Sequence, residues 1–132
     1  MELIWNERNG ARVVYCGVAQ ALVEGEVPQL QDRLADTILS ATGDVVLLGL
    51  ETAEGCVRMG GEIRLQLICQ DASGVFAFTS RAAFRHTVQT EGVATGMLVR
   101  GVPALQSMEV QLSDGRITLH AVADITLRVV DH

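Results

Sequence analysis

The sequence predicts a mainly β fold: about nine short antiparallel strands forming a curled sheet, a β-sandwich or a barrel-like domain, with one short helix near residues 29–39. Three observations predict it. Apolar residues alternate with polar ones at a period of two, most clearly over Ile117, Leu119, Ala121, Ala123, Ile125, Leu127 and Val129. Turn-forming pairs, Glu54-Gly55 and Asp114-Gly115, stand where the alternation breaks. The flanking segments can be registered so that every apolar side chain falls on one face, and a slip of one residue would turn that set into water.

Residues 1–10 read as an N-terminal arm and 11–132 as a single domain. The first candidate strands are Arg12 to Cys16 and Ala19 to Glu24, each bounded by Gly or polar residues. From Pro28 to Ser40 the residues Leu30, Leu34 and Ile38 recur every four positions, which predicts an amphipathic helix with Pro28 in its first turn. The alternative is an irregular loop that inserts Leu30 and Leu34 as plugs. With Glu54-Gly55 as a two-residue loop, Leu50 faces Met59 and Val46 faces Ile63. The connection Asp71-Ala72-Ser73-Gly74 returns the chain so that Phe76 meets Cys69 and Phe78 meets Leu67. Ala82 to Gln89 and Met97 to Val102 are further strands. With Asp114-Gly115 as the last loop, Leu112 faces Ile117, Val110 faces Leu119 and Met108 faces Ala121. An offset of sixty aligns Val57, Met59, Ile63, Leu65 and Leu67 with Ile117, Leu119, Ala123, Ile125 and Leu127, which suggests two pseudo-symmetric halves.

A chain of 132 residues suits one domain able to bury roughly two thirds of its unfolded surface. Hydrophobic residues make up 48% and charged residues 20%, with no apolar run long enough for a membrane helix. The ten cationic side chains are all Arg, against sixteen acids, and the net charge of −6 excludes a uniformly basic nucleic-acid groove and electrostatic docking on an anionic membrane. Cys16, Cys56 and Cys69 form no CxxC pair and no metal-ligand spacing; Cys69 falls in phase with Ile63, Leu65 and Leu67 and reads as a buried hydrophobe. The odd count favours a reducing compartment. The apolar cluster Leu3-Ile4-Trp5 is too short for a secretory signal, so a cytoplasmic location is expected.

A search for chemistry is mostly negative. No GxSxG or comparable nucleophile signature is present. His86 alternates in phase with Phe84 and Val88 and belongs beside the core; His120 falls on the opposite phase from Leu119 and Ala121; His132 is terminal. Glu24, Glu26 and Glu62 are the acids nearest to strands, and a hydrolytic site would need two of them across a cleft. Gly60-Gly61 lies inside a strand and marks a bulge or a close backbone approach, not a phosphate loop. The aromatic residues Tyr15, Phe76, Phe78 and Phe84 fall largely at core positions, which leaves few platforms for sugars. Trp5 reads as an anchor for the arm or as an exposed contact. These patterns alone reach no further than a soluble, β-rich domain.

Several runs together resemble a known family. Val23-Glu24-Gly25-Glu26-Val27, then the stretch from Cys56 through Gly60-Gly61-Glu62 to Leu67, then Gly92-Val93-Ala94-Thr95-Gly96-Met97, and finally Leu112-Ser113-Asp114-Gly115-Arg116 with its long strand look like the SPOCS domain, also called DUF3794. The resemblance runs in one order over residues 18–130, and Asp32 before Ile38-Leu39 fits a Pro-Asp segment of the family. Two positions depart from it: Ala83-Phe84 stands where the family shows Pro-Phe, and Ile68-Cys69 where it shows an aliphatic residue followed by Tyr.

SPOCS domains occur in sporulation and spore-coat proteins, often in tandem and often before a LysM module that this chain lacks. The resemblance therefore implies a non-enzymatic interaction domain, a scaffold piece of spore-coat assembly on the mother-cell side. Met1 would suit the first unit of a longer polypeptide. The expected partners are other spore-coat or sporulation proteins, or a second copy of the chain. The alternative is a peptidoglycan- or carbohydrate-binding module of the spore envelope. No catalytic, cofactor-binding or metal residue is expected. The candidate contact residues are Arg58, Arg64, Arg116 and Arg128, which offer planar bidentate pairing, together with Trp5.

Overall fold

Alternation continues through the glycines and the proline that interrupt it in the sequence, so the strands are long. The computed structural model describes residues 11–29 and 33–131. Among these residues the chain forms six strands: β1 (Arg12–Val27), β2 (Thr37–Ala53), β3 (Cys56–Asp71), β4 (Gly74–Gln89), β5 (Leu98–Ser113) and β6 (Arg116–Asp131). The expectation of about nine short strands is corrected by three mergers. Arg12 to Cys16 and Ala19 to Glu24 are one strand through Gly17; Ala82 to Gln89 continues the strand that begins at Gly74; Met97 to Val102 runs into the last hairpin through Pro103. Pro103 is tolerated because β5 is an edge strand, where a missing N–H need not break a ladder.

The helix expected near residues 29–39 is also overturned. Thr37 to Ser40 belong to β2, Ile38 pairs with Cys69, and the Asp36 amide donates to the Gln70 carbonyl at 2.8 Å, starting the ladder. Leu34 is 60% exposed instead of covering a core, and among the described residues of this crossover Ala35 is the buried one. Leu30 and Asp32 lie outside the described residues, as do the arm 1–10 with Trp5, and His132. Among the described residues there is no helix, so none that is long and apolar enough to cross a membrane.

Two three-stranded antiparallel sheets result, sheet A in the order β1-β6-β5 and sheet B in the order β2-β3-β4. They do not close into a barrel. They stack face to face, with β1 passing beside β4 and β2 beside β5 at the two sides. The central strands carry the core: Ile117, Leu119, Ala123, Ile125, Leu127 and Val129 of β6 face Val57, Ile63, Leu65, Leu67 and Cys69 of β3, all buried. Each large aliphatic side chain so placed contributes about 2 kcal/mol.

The hairpin registers follow the turn residues. Leu112 pairs with Ile117, Val110 with Leu119, and Met108 with Ala121. Asp114 and Gly115 hold φ of 53° and 76°, the two left-handed positions of a type I′ turn. Cys69 pairs with Phe76 and Leu67 with Phe78. Leu50 pairs with Met59, but a bulge at Leu48 shifts the rest of β2 by one, so Val46 faces Glu62 and Val45 faces Ile63.

Gly61 is where the backbone must be bare. A β-carbon there would strike the Val46 carbonyl and would lie 2.8 Å from Cζ of the Phe84 ring, which covers this position. A second local device ties the β1–β2 crossover to the β3–β4 turn. Arg33 donates to both carboxylate oxygens of Asp71, at 2.7 and 2.8 Å, while its guanidinium carbon lies 4.1 Å from the centroid of the Phe76 ring. The Ser73 amide also donates to Asp71 at 2.8 Å. These donors, Arg33 first, hold the Asp71 carboxyl down at about 2, and the hydrogen-bonded Asp71 carboxylate in turn pushes the Arg33 guanidinium up.

Candidate interaction surfaces

The four candidate arginines are divided between the two outer faces. Arg58 and Arg64 project from β3 on the outer face of sheet B. Arg116 and Arg128 project from opposite ends of β6 on the outer face of sheet A, about 40 Å apart.

Cross-strand register brings two further arginines to Arg58 and Arg64, which the sequence reading did not single out. Arg64 pairs with Arg81 and Asp44; Arg58 pairs with Thr87 and Glu51; Gly60, between them, pairs with Arg85. Register was the missing information: Arg81 and Arg85 fall at every fourth residue of β4, and only the β3–β4 pairing places them beside Arg58 and Arg64.

At the centre of this face Glu62 is only 8% exposed although it points outward. Arg64 donates to it at 2.8 Å, and Arg81 lies 3.7 Å from the same oxygen. Arg58 reaches Glu51 at 3.5 Å. Two shallow concavities flank the Val46–Glu62–Ala83 row. One, of about 760 Å³, is lined by Thr42, Asp44, Arg64, Gln66, Thr79 and Arg81; the other, of about 350 Å³, by Glu51, Arg58, Gly60, Arg85 and Thr87 among others. The face thus sets four guanidiniums against three carboxylates in a chain of net charge −6.

The edges differ in regularity. β1 is interrupted at Val13/Tyr15, β2 at Ile38/Ser40 and Leu47/Gly49, and β5 at Leu105/Ser107. β4 pairs with β3 without a shift from Gly74 to Gln89. Bulges discourage pairing with a further strand, so β4 is the most regular of the four edges.

The carboxylates Glu24, Glu26 and Glu62 do not share a cleft. Glu24 and Glu26 lie on the outer face of sheet A, 3.8 Å from His120 and 3.7 Å from Arg116 respectively, whereas Glu62 lies on the far side of the molecule. Among the described residues no three His, Cys, Asp or Glu side chains converge as metal ligands would. Cys16 is exposed and Cys56 and Cys69 are buried, all three as free thiols; burial pushes the Cys69 thiol up. His86 points inward beside Phe84.

Comparison with family models, curated proteins and solved structures returns no match for this chain. The likeness to SPOCS domains accordingly rests on the order and spacing of the motifs alone.

Proposed function

We propose that this protein is a non-enzymatic interaction module whose sheet B face and β4 edge receive an extended, acidic segment of a partner protein. The observation that carries the reading is the collection of Arg58, Arg64, Arg81 and Arg85 on one doubly concave face, beside an edge strand with an unbroken ladder. An added strand takes its affinity from main-chain hydrogen bonds. Side chains at alternate positions then set its selectivity, and carboxylates at those positions would meet Arg81 and Arg85, the charged side chains of β4. Arg85 makes no ion pair among the described residues.

The SPOCS-like motif order supplies the setting, a scaffold piece of the spore coat assembled from the mother-cell side. A glycan partner has less support, because Phe76, Phe78 and Phe84 are packed inside the sandwich and offer no ring to a sugar.

The test uses a labelled synthetic peptide that alternates Glu with Thr. Fluorescence anisotropy should register binding that weakens as salt is raised. Arg81→Glu combined with Arg85→Glu should reduce affinity by about tenfold or more, equivalent to ~1.4 kcal/mol. Equal affinity of the double variant and the natural chain would sink the reading, as would sedimentation with purified peptidoglycan in place of peptide binding.

A further inference from the structure

The outer face of sheet A carries three well exposed apolar side chains: Val18 at 60%, Leu22 at 70% and Val102 at 66%. Register arranges them in rows across β1, β6 and β5. Val18–Thr126–Val102 lies on one side of Gln20–Asp124–Ala104, and Leu22–Val122–Ser107 lies on the other. One row further out in each direction the charges separate by sign. Cys16–Arg128–Arg100 stands at one end and Glu24–His120–Glu109 at the other, each four residues of β6, about 13 Å, from Asp124.

This pattern is self-complementary. A two-fold axis lying in the face, across the strands at Asp124, reverses strand direction while keeping each strand over its own copy. It sets Arg100 against Glu109 of the second copy, and Val18 against Leu22 of the second copy, each contact occurring twice. Arg100 and Glu109 make no ion pair among the described residues of one chain; Glu109 accepts a hydrogen bond from the neutral Gln111 amide at 2.8 Å, which leaves its charge without a cationic partner there.

We propose that the outer face of sheet A is a homodimer interface in which Arg100 pairs with Glu109 of a second copy across an axis at Asp124. Three strands and the rows between Thr118 and Val130 give a footprint of about 15 by 40 Å, roughly 600 Å² per copy, toward the low end of specific interfaces. The dimer is therefore concentration-dependent. It is held further in check by Asp124, because the axis brings two copies of this carboxylate together. Gln106 accommodates the carboxylate within each chain; its amide nitrogen, in the orientation that satisfies both groups, lies 3.1 Å from both Asp124 oxygens. This face is opposite the one assigned to the acidic segment, so the two readings stand or fall separately.

Sedimentation velocity of the full chain over a concentration series tests the interface. Arg100→Glu places Glu against Glu and Glu109→Arg places Arg against Arg, so each variant alone should be a monomer where the natural chain dimerises. Mixed in equal amounts, the two variants should form a heterodimer, since both cross-axis pairs are then of opposite charge. Asp124→Asn should tighten the natural dimer by about tenfold. Both charge positions are exposed, and circular dichroism matching the natural chain confirms that the variants fold. A strict monomer at the highest concentration, a dimer indifferent to both charge variants, or a mixture that stays monomeric would overturn the proposal. Unchanged binding of the acidic peptide by the same variants separates the result from the sheet B reading.

Discussion

At the scale of single residues, the Arg33–Asp71 pair gives the molecule a defined response to acid. Asp71 is held at about 2, against an ordinary 3.8, so its pairing favours the folded state whenever the carboxyl is ionised. The folded value is the lower one. The stabilisation is therefore complete above pH about 4 to 5 and is lost as pH falls through the interval between the two values. Thermal melts of the natural chain and of Asp71→Asn should differ most near neutral pH and converge toward pH 2. Neither partner was evident from the sequence, because Arg33 stands in a crossover and meets Asp71 only through the fold. Gly61 was legible as a close approach, and it has a sharp test. Gly61→Ala should cost about 2 kcal/mol in urea unfolding, because its β-carbon meets the Val46 carbonyl and the Phe84 ring. Gly25→Ala, whose β-carbon meets nothing within 4 Å, should stay within ~0.5 kcal/mol of the natural chain.

At the scale of elements, turn chemistry and alternation together fixed the hairpins. The Asp114-Gly115 turn illustrates why: two positive φ angles admit few residue pairs, and the strands leaving it have only one register that buries Leu112, Val110, Ile117 and Leu119 together. Asp114→Val should lower stability by about 1–2 kcal/mol in chemical denaturation, since a β-branched residue resists φ of 53°, while Asp114→Asn should match the natural chain. Strand ends were far less legible. Gly17 and Pro103 read as punctuation, yet both sit inside edge strands that continue past them. The bulge at Leu48 lies between apolar neighbours and leaves no mark in the sequence, so the register of β2 beyond it was misjudged. The helix failed for a related reason. Three apolar residues at a spacing of four carry little weight against Thr37, Ile38 and Thr42, which suit extended backbone and are drawn into pairing with β3.

At the scale of the whole molecule, β3 and β6 span equivalent positions at an offset of sixty, as do the turns that precede them. Sheet B is assembled from three consecutive strands, whereas sheet A takes β5 and β6 and completes itself with β1. Moving residues 12–28 behind Asp131 through an Asn-Gly turn would convert the chain into two successive three-stranded meanders. Because Arg12 already pairs with Asp131, this permuted chain should keep the all-β dichroism spectrum and melt within a few degrees of the parent. Failure to fold would show that the covalent link from β1 to β2 is indispensable, since the permuted chain keeps both Arg33 and Asp71. The arginine face belongs to this scale as well. Arg58 and Arg64 were recognisable as outward-facing, but their grouping with Arg81 and Arg85 depends on which strand lies beside which.

The pairing of Arg12 with Asp131 also has a mechanical consequence. Tension applied at these two positions pulls neighbouring antiparallel strands apart from one end, so the hydrogen bonds between β1 and β6 carry the load one rung at a time. Tension applied at Arg12 and Arg116 instead drags the same two strands lengthwise, and every rung resists at once. The molecule should consequently part at low force when held by the first pair of handles and at markedly higher force when held by the second, a directional toughness set by strand order alone.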